Sequence, residues 1–584
     1  MKHLLTATLV VAIAALVMIP SRSLAASDTL FVYAKGLTLD KIISADTVAG
    51  GAQAHKYYLF ASRDTTYIFD ATITIKSTVT LLGILDPTTG RPPCIQPDVL
   101  SDNSIPGVLF TFTGKGTRVT LKNLYLLGLA VNNTANLGSG QAIQVSGDSL
   151  RLAVDNVVFE EWSQFAVGYS GNWDKFFITN CKFRNMVHPN QWYVGEVLRN
   201  ENYLGKIPTD STVMKFNTML CVNGYASAPV TVALVSYFDF SHNSVIYTFK
   251  NPFFIFNVTD AKINDNLFYS AWSGGISKTE YPWWDQLWSP AVGSIIDFDA
   301  LDSAKVVAWK PALPTLPAGV VDTAAEKLRT IQVKNNAYFW PTTLTTYWQT
   351  WNDTAHTDSI YTATWMNART TNMMVTDKVT WPGLVASGNQ NVDPGFGTTV
   401  GAVLNSGTGY GIGLLNWFKQ VRTGTAATDY WAYKKTTVGA ALNWTPTWPL
   451  PETQDMKYSN TSLKTGGTDG RAIGDPYWFN GPNGGVTGVP TGSSTPREFA
   501  LSSAYPNPFN PTTSINFTLK DAGFVSLKVY NMLGQVVATI IDNEMKSAET
   551  HTVRINMSRM TSGIYFAVLQ QGNNRAVQKL MLLK

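Results

Sequence analysis

The chain has 584 residues, 45% hydrophobic and 14% charged, with a formal net charge of +4. That length allows several domains, the charged share is well below the usual figure of about a quarter, and the absence of Lys and Arg clusters excludes a nucleic-acid footprint. Low charge with 12% aromatic residues and 18 Trp suits an extracellular β-rich protein.

Lys2 and His3 precede an apolar run from Leu4 to Ile19, and Ser23 and Ala25 supply the small residues of a cleavage site. Residues 1–25 therefore read as a signal peptide, cut after Ala25 or Ala26. The run is short for a spanning helix and no later stretch is apolar enough, so no transmembrane anchor is expected. Cys94, Cys181 and Cys221 are odd in number and lack metal-site spacing, which predicts buried free thiols. From 28 to 97 short alternating runs, such as Tyr67-Ile68-Phe69 and Val79-Thr80-Leu81, predict a strand-rich cap.

A repeat follows. Val119-Thr120-Leu121-Lys122-Asn123-Leu124-Tyr125-Leu126 recurs as Leu152-Ala153-Val154-Asp155-Asn156-Val157-Val158-Phe159 and as Phe176-Phe177-Ile178-Thr179-Asn180-Cys181-Lys182-Phe183. Looser copies place Asn217, His242, Asp265 and Asn335 in the polar corner held by Asn123, Asn156 and Asn180; several neighbouring copies lie about 23 to 25 residues apart, and the longer gaps exceed that by a loop. Units this short bury an apolar face only by stacking. Asn tolerates a left-handed corner, and stacked Asn side chains can bond from rung to rung. The pattern selects a right-handed parallel β-helix with long loops over residues 26–480; a leucine-rich horseshoe lacks its Leu frame. It resembles the pectate-lyase-like solenoids of secreted proteins.

Long gaps mark loops at 188–212 and 272–330. Asp322 suits the N-cap of a short helix, and Leu414, Leu415, Phe418 and Val421 share one face of another. Asp469-Gly470-Arg471-Ala472-Ile473-Gly474-Asp475-Pro476-Tyr477-Trp478 resembles the closing segment of such solenoids, and 481–496 is a Gly/Pro/Ser/Thr linker.

The fold invites a polysaccharide lyase or hydrolase, yet the Gly-His-Gly and Arg-Ile-Lys motifs of polygalacturonases are absent, as are the Asp and Arg clusters of calcium-dependent pectate lyases. The acidic candidates are Asp297 with Asp299, which could share a face for acid–base work or calcium, and Glu196 with Arg199 in the 188–212 loop, near Glu201. Glu160-Glu161 reads as one corner residue and one solvated residue. No other cofactor or metal is called for. Trp283, Trp284 and Trp288 in one Pro-flanked loop, and Trp340, Trp348 and Trp351 nearby, are candidate sugar-stacking faces.

The end of the chain is different. Tyr505-Pro506-Asn507-Pro508-Phe509-Asn510-Pro511 makes a stiff lead-in to six short alternating strands, with turns at Gly534 and Gly563 and a last run from Lys579 to Lys584. Their spacing predicts a small immunoglobulin-like sandwich over 497–584. These residues resemble the type A C-terminal sorting domain of the type IX secretion system. That resemblance implies an export address handled by the type IX machinery, so the activity lies upstream. The fold class is thus all-β, and the expected role is binding or structural at the cell surface, with glycans or copies of itself as partners; a glycan-degrading enzyme is the alternative.

Overall fold

A computed structural model describes residues 28–583 apart from 63–64, 132–139, 189–193, 202–206, 229–233, 256, 278–293, 302–321, 355–358, 406–412, 424–430, 432–447, 451, 481–498, 505, 520–522, 547–549, 559 and 572–573. The chain divides into two compact units, one within Ser27–Gly488 and one within Val489–Lys584.

Three parallel ladders build the first unit. One runs through Thr29–Val32, Tyr57–Phe60, Val79–Gly83, Arg118–Leu127, Arg151–Glu160, Asp174–Thr179, Thr209–Lys215, Val235–Ser241, Val258–Asn264, Thr330–Lys334 and Leu384–Ser387, each strand parallel to the next. A second takes the distal halves of Arg118–Leu127 and Arg151–Glu160, then Lys182–Met186, Thr218–Val222, Ser244–Thr248, Leu267–Tyr269, Ala337–Phe339 and Gln390–Asn391. The third holds Ile73–Ile75, Val108–Phe112, Gln141–Val145, Phe165–Tyr169, Glu196–Asn200 and Ser227–Ala228. As far as Ser227–Ala228 the chain visits the three in turn.

Register explains the core. Leu152 pairs with Val119 and Phe176, and Val154 with Leu121 and Ile178, so like positions stack. These side chains are fully buried, and each burial contributes about 1.5–3 kcal/mol. The stacking also aligns rings: Phe159 and Phe183 lie 4.9 Å apart at 10°.

The left-handed corner is occupied by Asn123, Asn156, Asn180, Phe216, His242, Asp265 and Asn335, with φ between 53° and 59°. Asn217 is the exception to the corner expected from sequence, because Phe216 takes the left-handed place. Phe216 stacks on His242 at 5.4 Å, and Asn217 turns inward to begin a buried ladder. Each Asn Oδ1 of this ladder accepts the backbone N–H one rung earlier: Asn217 from Cys181, Asn243 from Asn217, Asn266 from Asn243, Asn336 from Asn266 and Asn389 from Asn336. In Arg118–Leu127 and Arg151–Glu160 the strand runs unbroken through the corner and the same place holds Leu124 and Val157. Where the strand first breaks in two the place holds Cys181, whose amide donates to Asn217, and each later rung holds an Asn that accepts the amide before it.

The helix Leu414–Arg422 packs Leu414, Trp417 and Phe418 against Phe249 beside the second ladder. Thr323–Glu326 is capped by Asp322, whose carboxylate accepts from Ala324 and Ala325. The second unit has two antiparallel sheets, Ala500–Leu501, Thr512–Thr518 and Thr550–Asn556 in one, and Val536–Lys546, Gly523–Tyr530, Gly563–Gln571 and Asn574–Leu582 in the other. Alternate residues such as Val525, Leu527 and Val529 share one core with Ile515, Phe517, Leu569 and Leu580.

Candidate functional site

Glu196 and Arg199 lie on the third-ladder strand Glu196–Asn200, not in a loop as read from sequence, since Val197 and Leu198 belong to the stacked core. Arg199 Nη1 is 3.1 Å from both Glu196 oxygens. Burial pushes the Glu196 carboxyl up, against the pull of Arg199 and Lys250. Glu201 folds over Gly168 and accepts from Gln144 at 3.3 Å. Burial raises it too, against Gln144, Gln141 and Arg199. Its Oε1 and the Gln141 Oε1 have no hydrogen-bond partner among the described residues. Gln141 and Gln144 carried no signal in sequence, because only parallel register brings them beside Glu201.

Glycines make the room for both carboxylates. A Cβ at Gly224 would lie 2.2 Å from Glu196 Cγ, and one at Gly168 would lie 2.1 Å from Glu201 Oε1. Gly224→Ala therefore costs about 1–3 kcal/mol, since a fixed, buried stem is in the way, whereas Gly168→Ala meets the ends of two side chains that can swing, the Glu201 carboxylate and the Gln141 amide oxygen. Urea unfolding of the two variants checks this; equal losses would mean that Glu196 is as free to move as Glu201.

Asp297 and Asp299 both turn to Arg369, Asp297 at 2.6 Å. Thr370 also donates to Asp297, which burial raises, against Arg369. The guanidinium thus stands where a calcium ion would. Among the described residues no group of three or more His, Cys, Asp or Glu is placed to hold a metal. Glu160 and Glu161 are both buried rather than one being solvated: Glu161 takes a left-handed corner, and Glu160 accepts from Arg184 at 2.5 Å and from Tyr125. The three thiols are buried and free, and burial pushes Cys94 and Cys181 up to about 12.

The segment from Gly466 to Trp478 lies along the corner. Asn335 donates to Gly466 O, Thr468 donates to Asp265 through both its amide and its hydroxyl, and His242 meets Ala472 O and Asp469 at 3.1 and 3.2 Å. Burial pushes Asp469 up, but His242 and Arg471 outweigh it and hold the carboxyl at about 2. Asp475 accepts from Lys182 and Thr218, both at 2.7 Å, and Trp478 donates to Thr218. His242 is thus a clamp for this strap as well as a corner residue.

Trp283, Trp284 and Trp288 fall outside the described residues. Trp340 and Trp348 line a cleft of about 450 Å³ with Thr345, Gln349, Asn352, Asp353, Thr362 and Ala363. Trp351 is buried against Phe418.

In the C-terminal unit the Pro-rich lead-in is tied to the last strand. Asn507 Nδ2 donates to Lys579 O and its Oδ1 accepts from Met581 N. Phe509 is buried, donates to Met581 O and accepts from Leu583 N. Pro506 O accepts from Thr513, while Pro508, Asn510 and Pro511 complete the lead-in. Gly534, at φ 75°, closes a turn whose Met532 and Leu533 are exposed. Gly563 opens the strand paired with the last one. Tyr505 and Lys584 lie outside the described residues.

Residues 503–583 match the secretion system C-terminal sorting domain. The match covers the tail alone, and no curated protein is significantly similar to the chain. A type IX sorting domain implies a secreted or cell-surface protein delivered by the type IX machinery. Among the described residues no helix is long and apolar enough to cross a membrane. The bonds from Asn507 and Phe509 make the lead-in and the last strand of this domain a single hydrogen-bonded structure.

Proposed function

We propose that the chain is a surface-exported, right-handed parallel β-helix protein with a binding or structural role. Residues 1–25 direct passage to the periplasm, 26–480 form the β-helix, 481–496 the linker and 497–584 the sorting domain. Cyclic visits to three parallel ladders support the β-helix, and the strong right-handed preference of parallel crossovers supports its hand. The observation that carries the non-catalytic role is that the acidic candidates meet cations of the same chain: Glu196 with Arg199, Asp297 and Asp299 with Arg369, Glu160 with Arg184. Carboxylates held in this way are poorly placed to exchange protons with a substrate.

Glu201 favours the second reading, a glycan-cleaving enzyme, since a raised carboxyl with an unbonded oxygen suits a general acid. Purified full-length protein incubated with acidic and neutral polysaccharides should release no new reducing or unsaturated ends. Turnover abolished by Glu201→Gln would overturn the non-catalytic reading.

A further inference from the structure

The cleft on Thr342–Asp353 has an organisation that its surroundings do not require. Trp340 Nε1 donates to Ala271 O at 2.8 Å and Trp348 Nε1 to Ser273 O at 2.8 Å. Both indole N–H groups are therefore spent on the chain that follows the second-ladder strand Leu267–Tyr269, and the rings are fixed before any ligand arrives. Trp348 is buried as the floor, while Trp340 is only half-buried. Asn352 holds the opposite side by exchanging two hydrogen bonds with the Ile360 backbone, at 2.7 and 2.9 Å.

The Gln349, Asp353 and Thr362 side chains stand exposed at the rim. An amide, a carboxylate and a hydroxyl offer acceptors and donors beside an aromatic face. Among the described residues no Lys or Arg lines the cleft. The aromatic surface also continues past it: Tyr338 meets Trp340 at 5.8 Å and stacks on Trp365 at 4.6 Å and 2°, all three half-buried.

We propose that this cleft binds a neutral oligosaccharide, with Trp340 stacking on a sugar ring and Gln349, Asp353 and Thr362 bonding its hydroxyls. A ring whose carbon face meets an indole and whose edge carries hydroxyls matches this division between apolar wall and polar rim. Asp353 without a compensating cation disfavours an anionic glycan. The inference rests on the surface-binding reading and gives it a ligand class.

The test is calorimetric titration of full-length protein with hexasaccharides of glucose, xylose and mannose, and with a hexagalacturonate as the anionic arm. At least one neutral hexasaccharide should bind, with Trp340→Ala weakening it about thirtyfold. Because Trp340→Ala could disturb packing, the double variant Gln349→Ala, Asp353→Ala, altered only at exposed positions, should weaken it at least tenfold with an unchanged circular dichroism spectrum. Failure of every neutral hexasaccharide to bind, preference for hexagalacturonate, or full affinity in both variants would overturn the proposal. Any of those results leaves the non-catalytic reading standing, since that is decided separately by product release.

Discussion

Removing residues 503–583 should leave the upstream unit folded and abolish its appearance at the cell surface. The two units have separate cores. Among the described residues, the buried cluster of the sorting domain draws on positions between Leu501 and Leu582, and the large cluster of the ladders on positions between Val32 and Leu384. Deletion thus removes no side chain from the ladder core, and the upstream unit of the truncated protein should keep its thermal midpoint. Delivery is a different matter, because the deleted segment is the one that matches the secretion system sorting domain. Surface biotinylation and cell fractionation of the intact and truncated proteins, expressed in a bacterium with type IX secretion, measure it. Surface signal should fall to background, with folded protein retained inside the outer membrane. Normal delivery of the truncated protein would show that another part of the chain carries the address. A milder change, Asn507→Ala, removes two bonds to the last strand and should reduce delivery partially.

The corner was legible because its cause is local. A residue at positive φ must tolerate it by itself, so Asn123, Asn156 and Asn180 mark it directly. The tail was legible for a similar reason, since strand alternation and turn residues are read within a few positions. Partners across rungs were not. Glu160 finds Arg184 24 residues on and Lys182 finds Asp475 293 residues on, and nothing in the intervening sequence encodes either meeting. Only stacking register does. The buried ladder lies between these cases. His242-Asn243, Asp265-Asn266 and Asn335-Asn336 put two polar residues where the earlier copies have Asn123-Leu124, and that doubling is a visible sign of a second polar column. The same frame placed Asn217 in the corner, because the sequence there offers Asn once and Phe216 is an unusual residue for a left-handed backbone.

Asn243→Leu should be strongly destabilising, as a substitution at a fully buried position of the ladder. Asn243 Oδ1 accepts from the Asn217 backbone N–H and from Asn217 Nδ2, at 3.0 and 2.9 Å, and its Nδ2 donates to Met214 O at 2.8 Å. Asn217 Nδ2 keeps Ile178 O as a partner after the change, but the Asn217 amide and the Met214 carbonyl lose these bonds deep in the stack. Each buried orphan costs about 1–3 kcal/mol, so the expected loss is about 3–5 kcal/mol, enough to lower the urea midpoint visibly. Asn389→Leu supplies the comparison. Asn389 makes the corresponding bonds, accepting from Asn336 N and Nδ2 and donating to Val333 O, but it is half-exposed on the last rung. Water can replace what it loses there, and its cost should stay near 1 kcal/mol. Equal losses at the two positions would mean that bond count rather than burial sets the ladder's contribution. A loss below about 1 kcal/mol at Asn243 would mean that hydrophobic stacking alone holds the rungs, as it does where Leu124 and Val157 occupy the same column.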